Sequence, residues 1–593
     1  MSSRTPTGGA SNQGAAGGSQ RDRTIGDEWW RREVVYQVYP RSFVDSNGDG
    51  IGDLDGVRSR VDHFSWLGVG AVWLSPFYPS GGVDNGYDVA NYCAVDPVYG
   101  TLDQFDTLVD RLHRSGIRVI IDQIYNHSSD EHPWFTASRS SVTDNQRDWY
   151  IWRPPRRGHR GGEPGAEPND WQSFFGGPAW TFDAASGEYY LHLFHRKQPD
   201  LNWTNRDLRE AVRRAMQWWL DRDVDGLRLD VINLIAKPAG LPDAASHPDL
   251  LAMLSANPAL HSYLAALRTS LGSRRTGPPT LIGEMPGASA DVASLATSTE
   301  RGELDMAISF DHVELDRGET KWDRVPFPGG RLGTTLAKWQ LDVGQTGWNA
   351  LYLSSHDQPR AVSRFGDDEA HRARSAKTLA TVLHLHRGTP VVYQGEEAAM
   401  ANYPFSSLDE VRDVESMNYA ADALAGGARR EHVLDVIGAV GRDNARTPVQ
   451  WDGSHGGGFS HADPWISMNP DHVDWNIAVQ RGDGESVLHH YRWLVALRRR
   501  WPIVADGTFE PLVWNHPQVY AFVRELGAQR LVVVANLSDA GTPAPDLGVE
   551  TLDLIHSNPD VELRTSPIDV LEPWESRVWI RRVDGDARPV DVH

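Results

Sequence analysis

Acids and histidines recur where short apolar stretches of this chain end. Asp122 and His127 close one such stretch, Asp230 a second, Glu284 a third, and His356 with Asp357 a fourth. A charged group there is expensive unless it is paired or used. Two of the acids differ in their surroundings. Arg228 stands two residues before Asp230 and is expected to hold that carboxyl ionised. Glu284 lies in the apolar run LIGEMPG, which is expected to raise its pKa. One ionised and one protonated carboxyl near neutral pH is the division of labour of acid-assisted nucleophilic catalysis.

These side chains need a scaffold that gathers strand ends. Eight apolar, β-branched runs recur: 34–43, 71–76, 118–124, 224–231, 280–285, 305–312, 350–357 and 389–397. Near-continuous hydrophobicity argues for strands buried on both faces of a parallel sheet. Helical patterns such as 101–116 and 207–223 lie between several of them. Eightfold strand–helix alternation predicts an α/β fold, a (β/α)8 TIM barrel, with its chemistry at the C-terminal strand ends. Barrel segments are expected at 28–126 and 198–505. Residues 127–197, rich in Trp, Gly, Pro and Arg, are too long for a loop and read as a subdomain inserted after strand 3. Short alternating runs over 506–593 read as a C-terminal antiparallel β-domain, a small sandwich. Residues 1–27 are Gly/Ser/Ala-rich without an apolar segment, and read as a disordered tail rather than a secretory signal.

The net charge of −22 argues against nucleic-acid partners and suits a neutral small-molecule substrate. No apolar run is long enough to span a membrane. The single cysteine, Cys93, excludes an intrachain disulfide and fits a reducing, cytoplasmic setting. Oligomeric state is left at monomer or weak homo-oligomer.

Five separated motifs carry a resemblance: DQIYNH (122–127), QPDLN (198–202), GLRLDVIN (226–233), GEMPG (283–287) and SSHDQPR (354–360). In this order they resemble the α-amylase family of glycoside hydrolases, from Trp29 to about Arg582. The resemblance implies Asp230 as nucleophile, Glu284 as proton donor and Asp357 as the acid that grips sugar hydroxyls and stabilises the transition state. It implies His127 and His356 as holders of the sugar at the cleaved bond, and Asp122 and Arg228 as supports of the nucleophile. In a retaining enzyme the two working carboxyls lie about 5–5.5 Å apart.

Within the family, QPDLN and GRDNARTPVQWD (441–452) resemble the oligo-1,6-glucosidase and α-glucosidase group. The resemblance implies that Asp84, in DNGYD, and Arg446 clamp the terminal sugar's far hydroxyls, with Tyr87 stacking on its ring. Such a clamp closes the pocket and implies exo attack on an oligosaccharide. Val231, next to the nucleophile, resembles the α-1,6-preferring members. A methyl or two there changes discrimination by about 1–3 kcal/mol, so α-1,4 activity is expected alongside. Gln198 differs from the Met usual in trehalose synthases. The alternative is a sucrose isomerase or transglucosylase on the same scaffold. The chain departs from the family pattern at Val449 (usually Met), at Ser355 (usually Asn), and at Gln123 and Tyr125, where DLVVNH is commoner.

The loop DSNGDGIGD (45–53) sets oxygen donors at alternate positions: Asp45, Asn47, Asp49, the carbonyl of Ile51, and Asp53. It resembles an EF-hand loop, with Gly56 in place of the terminal Glu. Oligo-1,6-glucosidases carry a Ca2+-binding loop at this place. The resemblance implies structural Ca2+, with Mg2+ as the other hard cation that suits such donors.

Overall fold

The computed structural model describes residues 28–244, 246–272, 277–344, 346–558 and 570–581. The expected tail, residues 1–27, lies outside them.

Each apolar run supplies one strand. They are β1 (Val35–Val38), β2 (Ala71–Leu74), β3 (Arg118–Gln123), β4 (Gly226–Leu229), β5 (Thr280–Glu284), β6 (Met306–Ile308), β7 (Asn349–Leu351) and β8 (Thr389–Tyr393). All neighbours pair in parallel, and β8 pairs with β1 to close the barrel. Nearly every strand position is buried, as the absence of period-two alternation predicted. Helices cover the outside. Leu102–Arg114 starts on a capping box from Thr101 and Gln104 and buries Phe105, Leu108, Val109 and Leu112. Arg206–Leu220, capped by Asn205, buries Leu208, Val212, Met216 and Trp219.

Three excursions matter to the site. The chain after β3 forms a short helix, Pro133–Ser140, and a three-stranded antiparallel sheet. Its apolar cluster, including Trp171, Trp180 and Leu193, also takes in Val231 and Leu234 from the turn after β4. The chain after β8 was not foreseen as a separate unit. It carries helices Val414–Ala425 and Arg430–Val440, whose cluster contains Val411, Ala420, Val433 and Ile437. We refer to it as the lid. Beyond the barrel lies an antiparallel sheet of β9 (Glu510–Val513), β10 (Val519–Leu526), β11 (Gln529–Asn536), β12 (Asp553–Asn558) and β13 (Ser576–Arg581), in the order β9-β10-β11-β13-β12. Alternate residues Tyr520, Phe522, Leu531 and Val533 join the main core, while Val519, Ala521 and Val534 face a second, two-stranded layer through Leu571. The expected sandwich is therefore lopsided among the described residues.

Candidate active site

The barrel register sets Asp122 on β3 directly beside Arg228 on β4. Arg228 in turn is level with Ile282, two residues short of Glu284 on β5. One guanidinium can therefore reach three acids from three strand ends. Arg228 Nη1 donates to Asp122 Oδ1 at 2.7 Å and to Asp230 Oδ1 at 2.6 Å. Its Nη2 lies 2.5 Å from Glu284 Oε1. The residue is 1% exposed.

The chain turns sharply after Asp230. Val231 has φ +35° and ψ +42°, a left-handed conformation that a β-branched residue adopts only under strain. The turn aims its N–H at Glu284 Oε2, 2.9 Å away. The strained peptide thus ties the two candidate working acids together.

This arrangement corrects one expectation. Arg228 does not hold Asp230 low. Burial raises the Asp230 carboxyl well above its usual range, Arg228 opposes this, and the charges of Glu284 and Asp122 add to the rise. Burial likewise raises Glu284, again against Arg228. Asp230 and Glu284 are both raised by burial around one shared cation, so their titration belongs to the pair rather than to either residue. The sequence could not reveal that Arg228 is shared.

Further around the rim, Tyr87 donates its hydroxyl to Asp122 Oδ2 at 3.0 Å, and its ring lies parallel to His356 with centroids 5.0 Å apart. His356 Nε2 is 2.9 Å from Asp357 Oδ2. Asp357 Oδ1 accepts from Arg446 at 2.9 Å and from Arg442 at 3.2 Å. Burial would raise Asp357, but His356, Arg442 and Arg446 outweigh it and hold the carboxyl well below its ordinary value. Asp357 is therefore ionised. Burial pushes His127 down to about 4, so that imidazole is neutral at ordinary pH. The Gln198 amide reaches both His127 (3.2 Å) and Asp84 Oδ2 (3.1 Å).

The expected clamp residues, Asp84 and Arg446, both lie in one buried charge cluster with Arg442, Asp357 and Asp413. Besides the Gln198 amide, Asp84 accepts from Arg442 at 3.0 Å. Arg442 also donates to Asp413 Oδ1 at 2.6 Å. Arg446 serves Asp357 and the His356 carbonyl. Both arginines lie in the GRDNAR segment, four residues apart, so the motif was legible but the part of Arg442 in it was not. Asp413 was missed altogether, because nothing in its surroundings marks a strand end. Burial lifts Asp84 to about 6 despite Arg442.

The departures from the family pattern are braced locally. Gln123 donates to the Tyr78 hydroxyl at 2.6 Å and accepts from the Tyr125 hydroxyl at 2.7 Å. Tyr78 then donates to the Asp122 carbonyl. Ser355 accepts the Asp357 N–H at 3.3 Å, a turn that Asn could make equally. A small hollow at this rim is lined by Trp73, Arg228, Glu284, Phe310, Tyr352, His356 and Asp357.

The 45–53 loop lies apart from this rim. Asp45 accepts from the N–H groups of Asn47, Gly48 and Gly50 and from the Ser460 hydroxyl. Asp49 accepts from Ile51 N–H. Asp53 accepts from Ser46 and caps a short helix through Gly56 N–H. Among the described residues no group of three or more His, Cys, Asp or Glu side chains is already disposed around a cation.

Residues 37–507 match the family model described as alpha amylase, catalytic domain. The chain is 44% identical to the oligo-1,6-glucosidase of Halalkalibacterium halodurans, over 93% of this chain and 99% of that one. It is 42% identical to a palatinase of Erwinia rhapontici, over 92% and 98%. Among solved structures it is similar to Bacillus licheniformis trehalose-6-phosphate hydrolase, with TM-score 0.88, 36% identity, and 93% and 99% coverage.

Proposed function

Given that this chain belongs to the alpha-amylase family of glycoside hydrolases, we propose that it is a retaining, exo-acting α-glucosidase releasing glucose from short α-glucosides. The observation that carries the reading is the shared guanidinium: Arg228 holds Asp230 and Glu284 on one rim. In this reading Asp230 attacks the anomeric carbon while Glu284 protonates the departing oxygen. Glu284, whose carboxyl burial raises, supplies the proton delivered. Water, deprotonated by Glu284, then attacks the glucosyl ester and regenerates Asp230. Asp357, kept ionised by its arginines, grips sugar hydroxyls and offsets positive charge at the anomeric centre. Asp122 fixes Arg228, and His127 and His356 hold the sugar at the cleaved bond. Asp84 and Arg446, with Arg442 and Gln198 bracing Asp84, wall off the far end of the glucose, which favours attack at a chain end.

Preference for α-1,6 links is supported by Val231 and by relatives whose names state that linkage. Val231 also packs into the inserted unit's core, so its effect on the next sugar includes the position of that unit. A second reading, sucrose isomerisation or glucosyl transfer, is favoured by the 36% identity to an isomaltulose synthase of Erwinia rhapontici solved with sucrose. Parallel assays on isomaltose, maltose, sucrose and trehalose separate the two. Glucose release led by isomaltose supports the first, and rearranged disaccharides from sucrose support the second.

We also propose that the 45–53 loop holds structural Ca2+, or Mg2+, through Asp45, Asn47, Asp49, the Ile51 carbonyl and Asp53. The donors fit in type. Asp49 keeps acceptor capacity on both oxygens, whereas Asp45 already accepts from Asn47, Gly48, Gly50 and Ser460, so a cation there would replace part of that set. The ion would brace the loop and supply no chemistry to the carboxyl pair. The single cysteine suits a cytoplasmic enzyme. No single helix among the described residues is long and apolar enough to cross a membrane. Binding of oligosaccharide rather than nucleic acid suits the net charge, and we read the chain as a monomer or weak homo-oligomer.

A further inference from the structure

The loop after β6 and the lid after β8 come from different strands, yet they are fastened to each other. Residues 317–324 form a small hairpin, with Arg317 bridged to Arg324. At its tip Trp322 stacks on Tyr419 of the lid helix Val414–Ala425, with centroids 4.3 Å apart and planes 7° from parallel. Beside this stack Lys321 pairs with Glu415, and Lys321 also lies 4.6 Å over the Trp322 ring. Trp322 belongs to the lid's apolar cluster, and among the described residues it is that cluster's sole member from outside 405–437.

Beside the fastening is a second hollow, which shares Phe310 and Asp357 with the first. The hairpin walls it with Arg317 and Lys321, the lid with Val440. Its polar groups suit sugar hydroxyls, and the first hollow, with which it shares Asp357, is lined by Glu284, the acid that serves the departing oxygen. Next to Tyr419, Asn418 donates to the Phe175 carbonyl of the inserted unit at 3.0 Å. The lid helix is therefore tied both to the loop after β6 and to the inserted unit.

We propose that the Trp322–Tyr419 stack, with Lys321–Glu415, is a clasp that bounds the leaving-group side of the pocket and sets the length of oligosaccharide accepted. This rests on the exo-glucosidase reading above. Disaccharides fit with the clasp closed, and longer chains require it to open. Neither Trp322 nor Tyr419 lines either hollow, so loosening the clasp leaves disaccharide cleavage near wild type.

The test compares kcat/KM on isomaltose and isomaltotetraose, and on maltose and maltotetraose, for wild type, Trp322→Ala, Tyr419→Ala and Tyr419→Phe. The expected result is a rise of about fivefold or more in the tetraose-to-disaccharide ratio for both alanine variants. Tyr419→Phe, which keeps the ring, stays at the wild-type ratio. Folding is checked by the thermal midpoint, and isothermal titration of the same sugars in an Asp230→Asn background gives a readout independent of turnover. An unchanged ratio in both folded alanine variants overturns the clasp. The isomaltose-to-maltose ratio of the wild type tests the linkage reading separately. Absence of glucose release from all four sugars would sink the exo-glucosidase reading, and the clasp with it.

Discussion

Replacing Arg442 by Met removes one cation that touches Asp84, Asp357 and Asp413 at 3.0, 3.2 and 2.6 Å. All three contacts are at a guanidinium only 7% exposed. Arg446 remains on Asp357 at 2.9 Å but reaches Asp413 only at 3.5 Å, and Asp84 loses its cation. Breaking a buried pair from one side costs about 3–5 kcal/mol, so the thermal midpoint must fall. The catalytic effect can be bounded as well. A hydrogen bond to a charged group is worth about 1.5–3 kcal/mol. If Asp84 and Asp357 each lose one such grip on the sugar, the sum of about 3–6 kcal/mol corresponds to a loss of about 10^2- to 10^4-fold in kcat/KM. Asp84 adds a pH signature. Burial already lifts it to about 6, and Arg442 is the strongest opposing influence. In the wild type KM therefore rises as pH falls through about 6, and in the variant the inflection moves upward. Steady-state rates on p-nitrophenyl α-glucoside across this range measure both effects, with Arg442→Lys as the partial retention of charge. A kcat/KM within about threefold of wild type, with the inflection unmoved, would refute the reasoning.

Val231→Ala is expected to raise the maltose-to-isomaltose rate ratio by about 1–3 kcal/mol in discrimination, and an unchanged ratio removes Val231 from specificity. Added Ca2+ is expected to raise the thermal midpoint by a few degrees and Asp49→Ala to abolish that gain; identical midpoints with Ca2+ and with chelator contradict the site. Burial depresses His312, His384, His386 and His556 to about 3. Their folded pKa lies below the unfolded 6.5, so the unfolded chain binds protons first, and stability present above about 6.5 is lost progressively down to about 3. Urea midpoints that stay flat from about pH 7 to about pH 5 would contradict this. Glu396 has the opposite sign: burial raises it to about 7 from 4.5, so its contribution weakens as pH rises through that window. Glu396→Gln is expected to gain stability over wild type above about pH 7, by up to about 3 kcal/mol, and a loss at that pH would count against it.

The barrel was legible because burial on both faces leaves an unmistakable mark: each of the eight apolar runs became a strand. The acids at strand ends were legible for the same reason, since charge beside an apolar run stands out. The electrostatics were not. Arg228 looked like a private partner of Asp230 because they are two residues apart, whereas the barrel register hands the same guanidinium to Asp122 and Glu284. Arg442 and Arg446 share one helical segment, and only its docking decides which faces Asp84. The lid hid in a stretch whose helices are short and whose core is small, so its periodicity did not stand apart from the barrel's own helices. Gln123 and Tyr125 looked like oddities until Tyr78, far away in sequence, joined them to the Asp122 backbone.

The central claim is that Asp230 carries the glucosyl group during turnover. Brief reaction with 5-fluoro-α-glucosyl fluoride, followed by proteolysis and mass spectrometry, tests it directly. The account predicts a label on the peptide containing Asp230, absent in Asp230→Asn, with α-glucose as the first-formed product by NMR. A label on Glu284 or Asp357, or β-glucose as the first product, would contradict it.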